Sequence, residues 1–322
     1  MRKTLLDSKA CLAKIALDLM VQGAVMKRYL GIDIGASSFK YGVGDSKHGL
    51  QCFDTIWFQE KSLSAFTEIM AQIWERVQDQ EICGIGIGSP GTLRMPEGKI
   101  VGLNPNLPFF TGLSPQELLP QGLDLPVCVD NDANLMALAE ANLQNCSVAV
   151  GITVGSGIGC GIVIDGKVYH GAHGFAAEAG HCIMVCEGEK CNCGQNGCLE
   201  AYSSVDSIRR RLQKRGLPYH ALSLPRLIAL RATEKELDAV ICEGENILIR
   251  AVANLITLLD PQMVILGGGA MELGLYDIQR INKLASQYLP EAHRQETVCT
   301  LAGYGNRAGV MGAIIMCERR AF

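Results

Sequence analysis

His181, Cys191, Cys193 and Cys198 read His-x9-Cys-x-Cys-x4-Cys. Three thiols and an imidazole form a complete donor set for tetrahedral Zn²⁺, and a site with four protein ligands is structural because no position is left for water. Gly194 and Gly197 stand where the chain must turn tightly between thiolates. Cys182 and Cys186 are close enough in sequence to act as substitute ligands, and free thiols or a disulfide are the competing explanation. Glu178 and Glu200 flank the cluster. Two carboxylates beside a metal-held histidine suit bidentate hydrogen bonding to vicinal sugar hydroxyls, whereas the plain alternative is two solvated loop charges.

A second cluster reads Asp130-Asn131-Asp132-Ala133-Asn134, between an apolar run at Val127 to Val129 and a helical run at Leu135 to Leu143. Asp and Asn gather at helix N-termini for capping alone, but this group exceeds what one cap requires. A carboxylate here could accept the proton of an attacking hydroxyl while the Asn131 amide holds another hydroxyl of a polyol. Asp132 is taken as the base, with Asp130 as the cap or strand-end residue.

Two glycine turns offer backbone amides to phosphate, Asp33-Ile34-Gly35-Ala36-Ser37 and Thr153-Val154-Gly155-Ser156-Gly157. With Lys40 they make a candidate nucleotide site, and Asp33 supplies a carboxylate for Mg²⁺, acting through water. Turns of this kind are also common between strands with no ligand. Gly267-Gly268-Gly269 could pack flat against an adenine or ribose, or serve as a tight strand-to-helix turn.

These groups must be positioned by a repeated unit. Gly31, Ile32, Gly35 and Ser38 fall 120 residues before Gly151, Ile152, Gly155 and Ile158, and each set reads as strand, glycine turn, strand. Apolar residues at helical spacing follow over 63–77 and 247–259, and the apolar runs at 82–87, 127–129 and 263–266 read as buried strands ending in polar or glycine-rich loops. Strands alternating with helices predict an α/β architecture with ligands at the carboxyl ends of the strands. The small-residue tail from Gly303 to Met316 predicts a closing helix.

The expected organisation is an N-terminal extension at 1–25, a small lobe over 26–146 carrying the catalytic loop, and a large lobe over 147–304 carrying the zinc loop and nucleotide site. The closing helix, within 305–322, joins the small lobe. The extension has a loose helical stripe that includes Leu5, Leu12, Ile15 and Leu19, yet Met26 stands just before the first strand, so an over-long gene start is the other reading.

A net charge of −4 on 322 residues gives no general attraction for nucleic acid or anionic lipid. No apolar run approaches the roughly 20 residues that span a bilayer. The fourteen cysteines are scattered through apolar runs rather than framing a small domain, which predicts free thiols in a reducing, cytoplasmic compartment.

Taken together, the motifs resemble the ROK family of bacterial sugar kinases and related repressors. The resemblance runs from about Lys27 and rests on Asp33-x-Gly35, Ser89-Pro90-Gly91, Pro105-Asn106-Leu107-Pro108, Asn131-Asp132-Ala133-Asn134, Glu178-Ala179-Gly180-His181, Cys191 to Glu200 and Gly267-Gly268-Gly269. It implies an actin-like ATPase (ribonuclease H-like) fold whose two lobes close on ATP and a hexose, with Mg²⁺ and Zn²⁺ as metals. It implies Asp132 as base, with Gly91, Asn106, Asn131, Glu178, His181 and Glu200 holding the sugar, so that His181 serves both metal and sugar. Three departures stand out: Ala36 for a second glycine, Ala177 for a glycine before the glutamate, and Val205 for a glycine after the Cys-Leu-Glu segment. Glucose, phosphorylated at the 6-hydroxyl, is the first expectation. Fructose, mannose, allose and the N-acetylated amino sugars N-acetylmannosamine and N-acetylglucosamine are alternatives, as is a silent sugar sensor. The family's repressors carry a winged-helix domain ahead of the kinase-like part, which 25 residues could not supply. The remaining expected partners are further copies of the chain, as a homodimer or homotetramer.

Overall fold

The structure, a computed structural model, describes residues 27–35, 37–102 and 107–320. The 1–25 extension, Ala36 and Asn106 lie outside the described residues.

Two five-stranded sheets repeat one topology. The first is built from β1 (Arg28–Ile34), β2 (Ser38–Asp45), β3 (Gly49–Trp57), β4 (Ile82–Ser89) and, after a short ribbon of β5 (Thr92–Arg94) and β6 (Lys99–Val101), β7 (Val127–Asn131). Its order is β3-β2-β1-β4-β7, with β1 antiparallel to β2 and parallel to β4. The second uses β8 (Ala149–Val154), β9 (Ile158–Ile164), β10 (Lys167–Val168), β11 (Met263–Gly267) and β12 (Val298–Leu301). Its order is β10-β9-β8-β11-β12, with β8 antiparallel to β9 and parallel to β11. The predicted duplication is therefore a duplication of sheet topology. Antiparallel hairpins carry the glycine turns, and within each sheet the parallel strands point their carboxyl ends the same way, the end at which ligands bind in such sheets.

Six helices among the described residues reach ten residues or more: α1 (Leu63–Val77), α2 (Asp132–Leu143), α3 (Val205–Lys214), α4 (Lys235–Leu259), α5 (Ile278–Tyr288) and α6 (Ala308–Arg320). In α1, Phe66, Ile69, Met70, Ile73 and Val77 are buried at the three-to-four spacing that buries one face. The helix expected over 247–259 begins twelve residues earlier, at Lys235. Lys235, Glu236 and Asp238 hide the apolar stripe, which Leu237, Val240 and Ile241 continue on the buried side. The closing helix starts at Ala308 instead of Gly303, because the Gly303 and Tyr304 amides are engaged by the Glu140 carboxylate and not by a helix.

Each sheet has its own apolar core. A third cluster joins Tyr29 and Cys128 of the first sheet to Leu135 and Leu138 of α2 and to Val310, Met311 and Ile314 of α6. So α2, which begins at the Asp130–Asn134 cluster and packs on β8 and β9, links the two sheets, and α6 seals it against β1 and β4. Among the described residues, no helix is long and apolar enough to cross a membrane.

Candidate active site and metal centre

A cavity of about 160 Å³ gathers Asp33, Gly35 and Lys40 of the first repeat, Asp132 and Met136 of α2, and Thr153 and Gly268 of the second repeat, with Glu272, Asn306 and Gly309 completing its wall. Asp33 and Lys40 are cross-strand partners in the β1–β2 register. That pairing brings Lys40 Nζ to 3.2 Å from Asp33 Oδ2. Gly35 N–H closes its turn on Ser38 O at 2.8 Å, and Gly155 N–H closes the equivalent turn on Gly157 O at 3.0 Å. Gly268 adopts φ +88°, and a side chain there would collide with the Val154 backbone, so glycine is required where this loop meets β8. Ser37, Ser156 and Gly269 are exposed at the turns, and Gly155, Gly157 and Gly267 do not line the cavity.

The Asp130–Asn134 cluster divides its tasks among three residues. Asn131 is the N-cap, its side chain accepting from Ala133 N at 2.9 Å and Asn134 N at 3.3 Å. Asp130 is a strand-end residue with both oxygens occupied, Oδ1 by Asn131 N (2.8 Å) and Asn134 Nδ2 (2.9 Å), Oδ2 by His170 Nε2 (2.6 Å). Asp132 opens α2 and faces the cavity. It keeps partial exposure there while its carboxyl is hemmed in by protein. This enclosure, and then the charge of Asp33, push its pKa up to about 7, against the Ala133 N–H and the charge of Lys40. A carboxylate poised near neutrality is what a general base needs.

Three predicted sugar contacts meet beside it. Asn131 Nδ2 donates to Gly91 O at 3.1 Å. Thr92 Oγ1 donates to Glu178 Oε1 at 3.0 Å, tying the first sheet's ribbon to the loop that leads to the cysteine cluster. Ala177, just before Glu178, sits at φ +67°, a left-handed conformation that accounts for a glycine being usual there. Glu200 accepts from Ile158 N at 2.9 Å through Oε2, and so also braces the second glycine turn. Val205 begins α3 and donates its N–H to Gly155 O at 2.9 Å, which a glycine would do equally well.

One ring nitrogen of His181 and the Sγ atoms of Cys191, Cys193 and Cys198 all lie within 4.8 Å of one another. Cys191 Sγ is 3.7 Å from His181 Nδ1, and Cys193 Sγ is 3.6 Å from Cys198 Sγ. A tetrahedron of Zn–S bonds near 2.3 Å has edges of about 3.8 Å, so the residues fit the ion. The thirteen cysteines among the described residues are free. Cys182 and Cys186 stand outside the group. Gly197, at φ +82°, packs against the Val185 backbone, so the turn before Cys198 accepts no side chain.

Thr92, His170, Glu140 and Glu272 are site residues that sequence reasoning missed. Glu140, buried in α2, accepts from Gly303 N (2.8 Å) and Tyr304 N (2.7 Å), fixing the loop that carries Gly305 and Asn306 to the cavity wall. A lone carboxylate in the otherwise apolar run from Leu135 to Ala141 was the available signal for it. No local signal marks Thr92 or His170, whose partners are 86 and 40 positions away.

Two sheets of identical topology, closing a polar cavity around a carboxylate of raised pKa, define an enzyme of the actin-like ATPase fold. The chain belongs to the ROK family, whose model matches residues 29–320. It is 28% identical over 311 residues to the glucokinase of Thermotoga maritima, covering 91% of this chain and 98% of that one. It is 28% identical over 305 residues to the N-acetyl-D-glucosamine kinase of Shigella flexneri, covering 89% and 98%. A solved ROK family glucokinase from Streptomyces griseus, in complex with glucose and AMPPNP, superposes with a TM-score of 0.76 at 26% identity, over 91% of this chain and 99% of that one.

Proposed function

We propose that the protein transfers the γ-phosphoryl group of ATP to a hexose hydroxyl, glucose at the 6-hydroxyl first among candidates, with Asp132 as general base. The observation that carries this reading is the shared cavity, in which Asp132, with its pKa near 7, opens onto the same space as Asp33, Lys40, Thr153 and Gly268.

The other amides of the two turns, beyond the Gly35 and Gly155 N–H groups that close them, hold the phosphates with Lys40, and Gly268 lies flat beside the nucleoside. Asp33 would hold Mg²⁺ through water, and that ion when bound neutralises charge on the phosphate oxygens. Asn131, Gly91, Asn106, Glu178, His181 and Glu200 orient the sugar. Asp132 removes the proton of the acceptor hydroxyl as the new O–P bond forms. His181, Cys191, Cys193 and Cys198 would hold Zn²⁺, which when bound cross-links the loop carrying the sugar-binding carboxylates. Because His181 turns Nδ1 toward the thiols, Nε2 stays available to a sugar hydroxyl. The similarity to the N-acetyl-D-glucosamine kinase favours a second reading, in which the acceptor is an N-acetylated hexose.

A coupled ADP-release assay with MgATP and glucose, fructose, mannose, allose, N-acetylglucosamine and N-acetylmannosamine tests this. Turnover with one hexose well above the rest is expected. No sugar-dependent ADP release would leave the silent sugar sensor as the reading.

A further inference from the structure

Behind the proposed base the buried Asp130 meets the half-buried His170, a pair that phosphoryl transfer has not yet used. Asp130 is 1% exposed, and its two oxygens bind three donors from three places. Oδ1 takes the Asn131 N–H, the residue before Asp132, and the Asn134 amide in the first turn of α2. Oδ2 takes His170 Nε2 at 2.6 Å. His170 follows β10, the outermost strand of the second sheet, by two residues. From there the chain runs on through 171–181 to Glu178 and His181. One carboxylate therefore fastens the backbone beside Asp132 to the first residue of the segment that carries the sugar-binding groups.

A buried carboxylate left without its donor is strongly disfavoured, so the three attachments move together or not at all. Nε2 faces the carboxylate and so carries the proton of this hydrogen bond. The side chain of His170 is 21% exposed and that of Asp130 2%, so water has little access to replace the imidazole. Thr92 on Glu178 holds the far end of the same segment. His170 holds its near end.

We propose that His170 is a positioning residue for the reaction, setting through Asp130 the distance between the base Asp132 and the hexose held by Glu178. This inference rests on the kinase reading above and deepens it. It is tested by steady-state kinetics of the full chain with MgATP and its preferred hexose, alongside the thermal midpoint of each variant. His170→Ala is expected to lower kcat on the order of 10²-fold, the cost of a misplaced reacting group, in protein that remains folded. The KM for MgATP should stay within about twofold, since nucleotide contacts are untouched. His170→Gln, whose amide reaches the Nε2 position, restores most of kcat, whereas His170→Asn, whose amide stops at the Nδ1 position, does not. Should the alanine variant not fold, the Gln and Asn variants carry the comparison. Wild-type kcat in H170A or H170N, or equal losses in folded H170N and H170Q, would overturn the inference. No turnover by the wild type would remove the kinase reading and this inference with it.

Discussion

Thr92 and Glu178 meet at 3.0 Å across 86 positions of sequence, the hydroxyl of the first sheet's ribbon donating to the carboxylate at the mouth of the cysteine loop. Without that bond Glu178, an exposed side chain, must be ordered by the sugar alone. Thr92→Val, which keeps the shape and loses the donor, is expected to raise the KM for the hexose by roughly tenfold with kcat changed far less. Hexose titrations at saturating MgATP check it, and an unchanged KM would mean that the contact does not preorganise Glu178.

The raised pKa of Asp132 makes two statements with opposite signs. As a base it must be ionised, so kcat/KM should rise with pH and be half-maximal near the free-enzyme value of about 7. As a buried acid whose folded pKa exceeds its unfolded value, it weakens the fold as pH climbs from about 4 to about 7. Asp132→Asn should therefore raise the thermal midpoint at pH 8 by at least about 2 °C and leave it unchanged near pH 3.5. A lower midpoint for the variant at pH 8 would show that the carboxylate is stabilised, not strained.

The duplicated hairpins, the buried parallel strands and the cysteine cluster were legible because each depends on near neighbours: a 120-residue repeat, an apolar run, a spacing of thiols. The place of Asp130 at a strand end was legible too, although the cap itself fell to Asn131. What sequence could not show was long-range closure. Glu140 holds Gly303 and Tyr304 across more than 160 positions, and His170 holds Asp130 from the other sheet. Such pairs leave no periodicity, only a polar residue among apolar neighbours. The front of α4 was hidden for a related reason, since its solvent face is charged enough to mask the buried stripe.

Elemental analysis of the desalted protein should find one zinc ion per chain. Cys193→Ala, which removes the one exposed cysteine of the three, should lose it and lower the thermal midpoint by roughly 5 °C or more, because binding energy at a structural site is folding energy. Metal-free wild-type protein that is folded and active would remove zinc from the account.

Sugar binding should draw the lobes together, since the Asn131–Asp132 loop and the Glu178–Glu200 segment follow different sheets and the proposed hexose site takes groups from both. Closure excludes water from the γ-phosphate. Small-angle scattering should show a smaller radius of gyration with saturating hexose, and sugar-independent ATP hydrolysis should be slow beside transfer. Identical profiles for an enzyme that turns the same sugar over would contradict closure.

The most direct measurement is single-turnover phosphoryl transfer by Asp132→Asn with the preferred hexose. The amide has the shape of the carboxyl but cannot take the proton, so transfer should slow by about 10²-fold or more while hexose binding, followed by calorimetry, is retained. Transfer at close to the wild-type rate would show that Asp132 is not the base and that the raised pKa in the shared cavity serves another purpose.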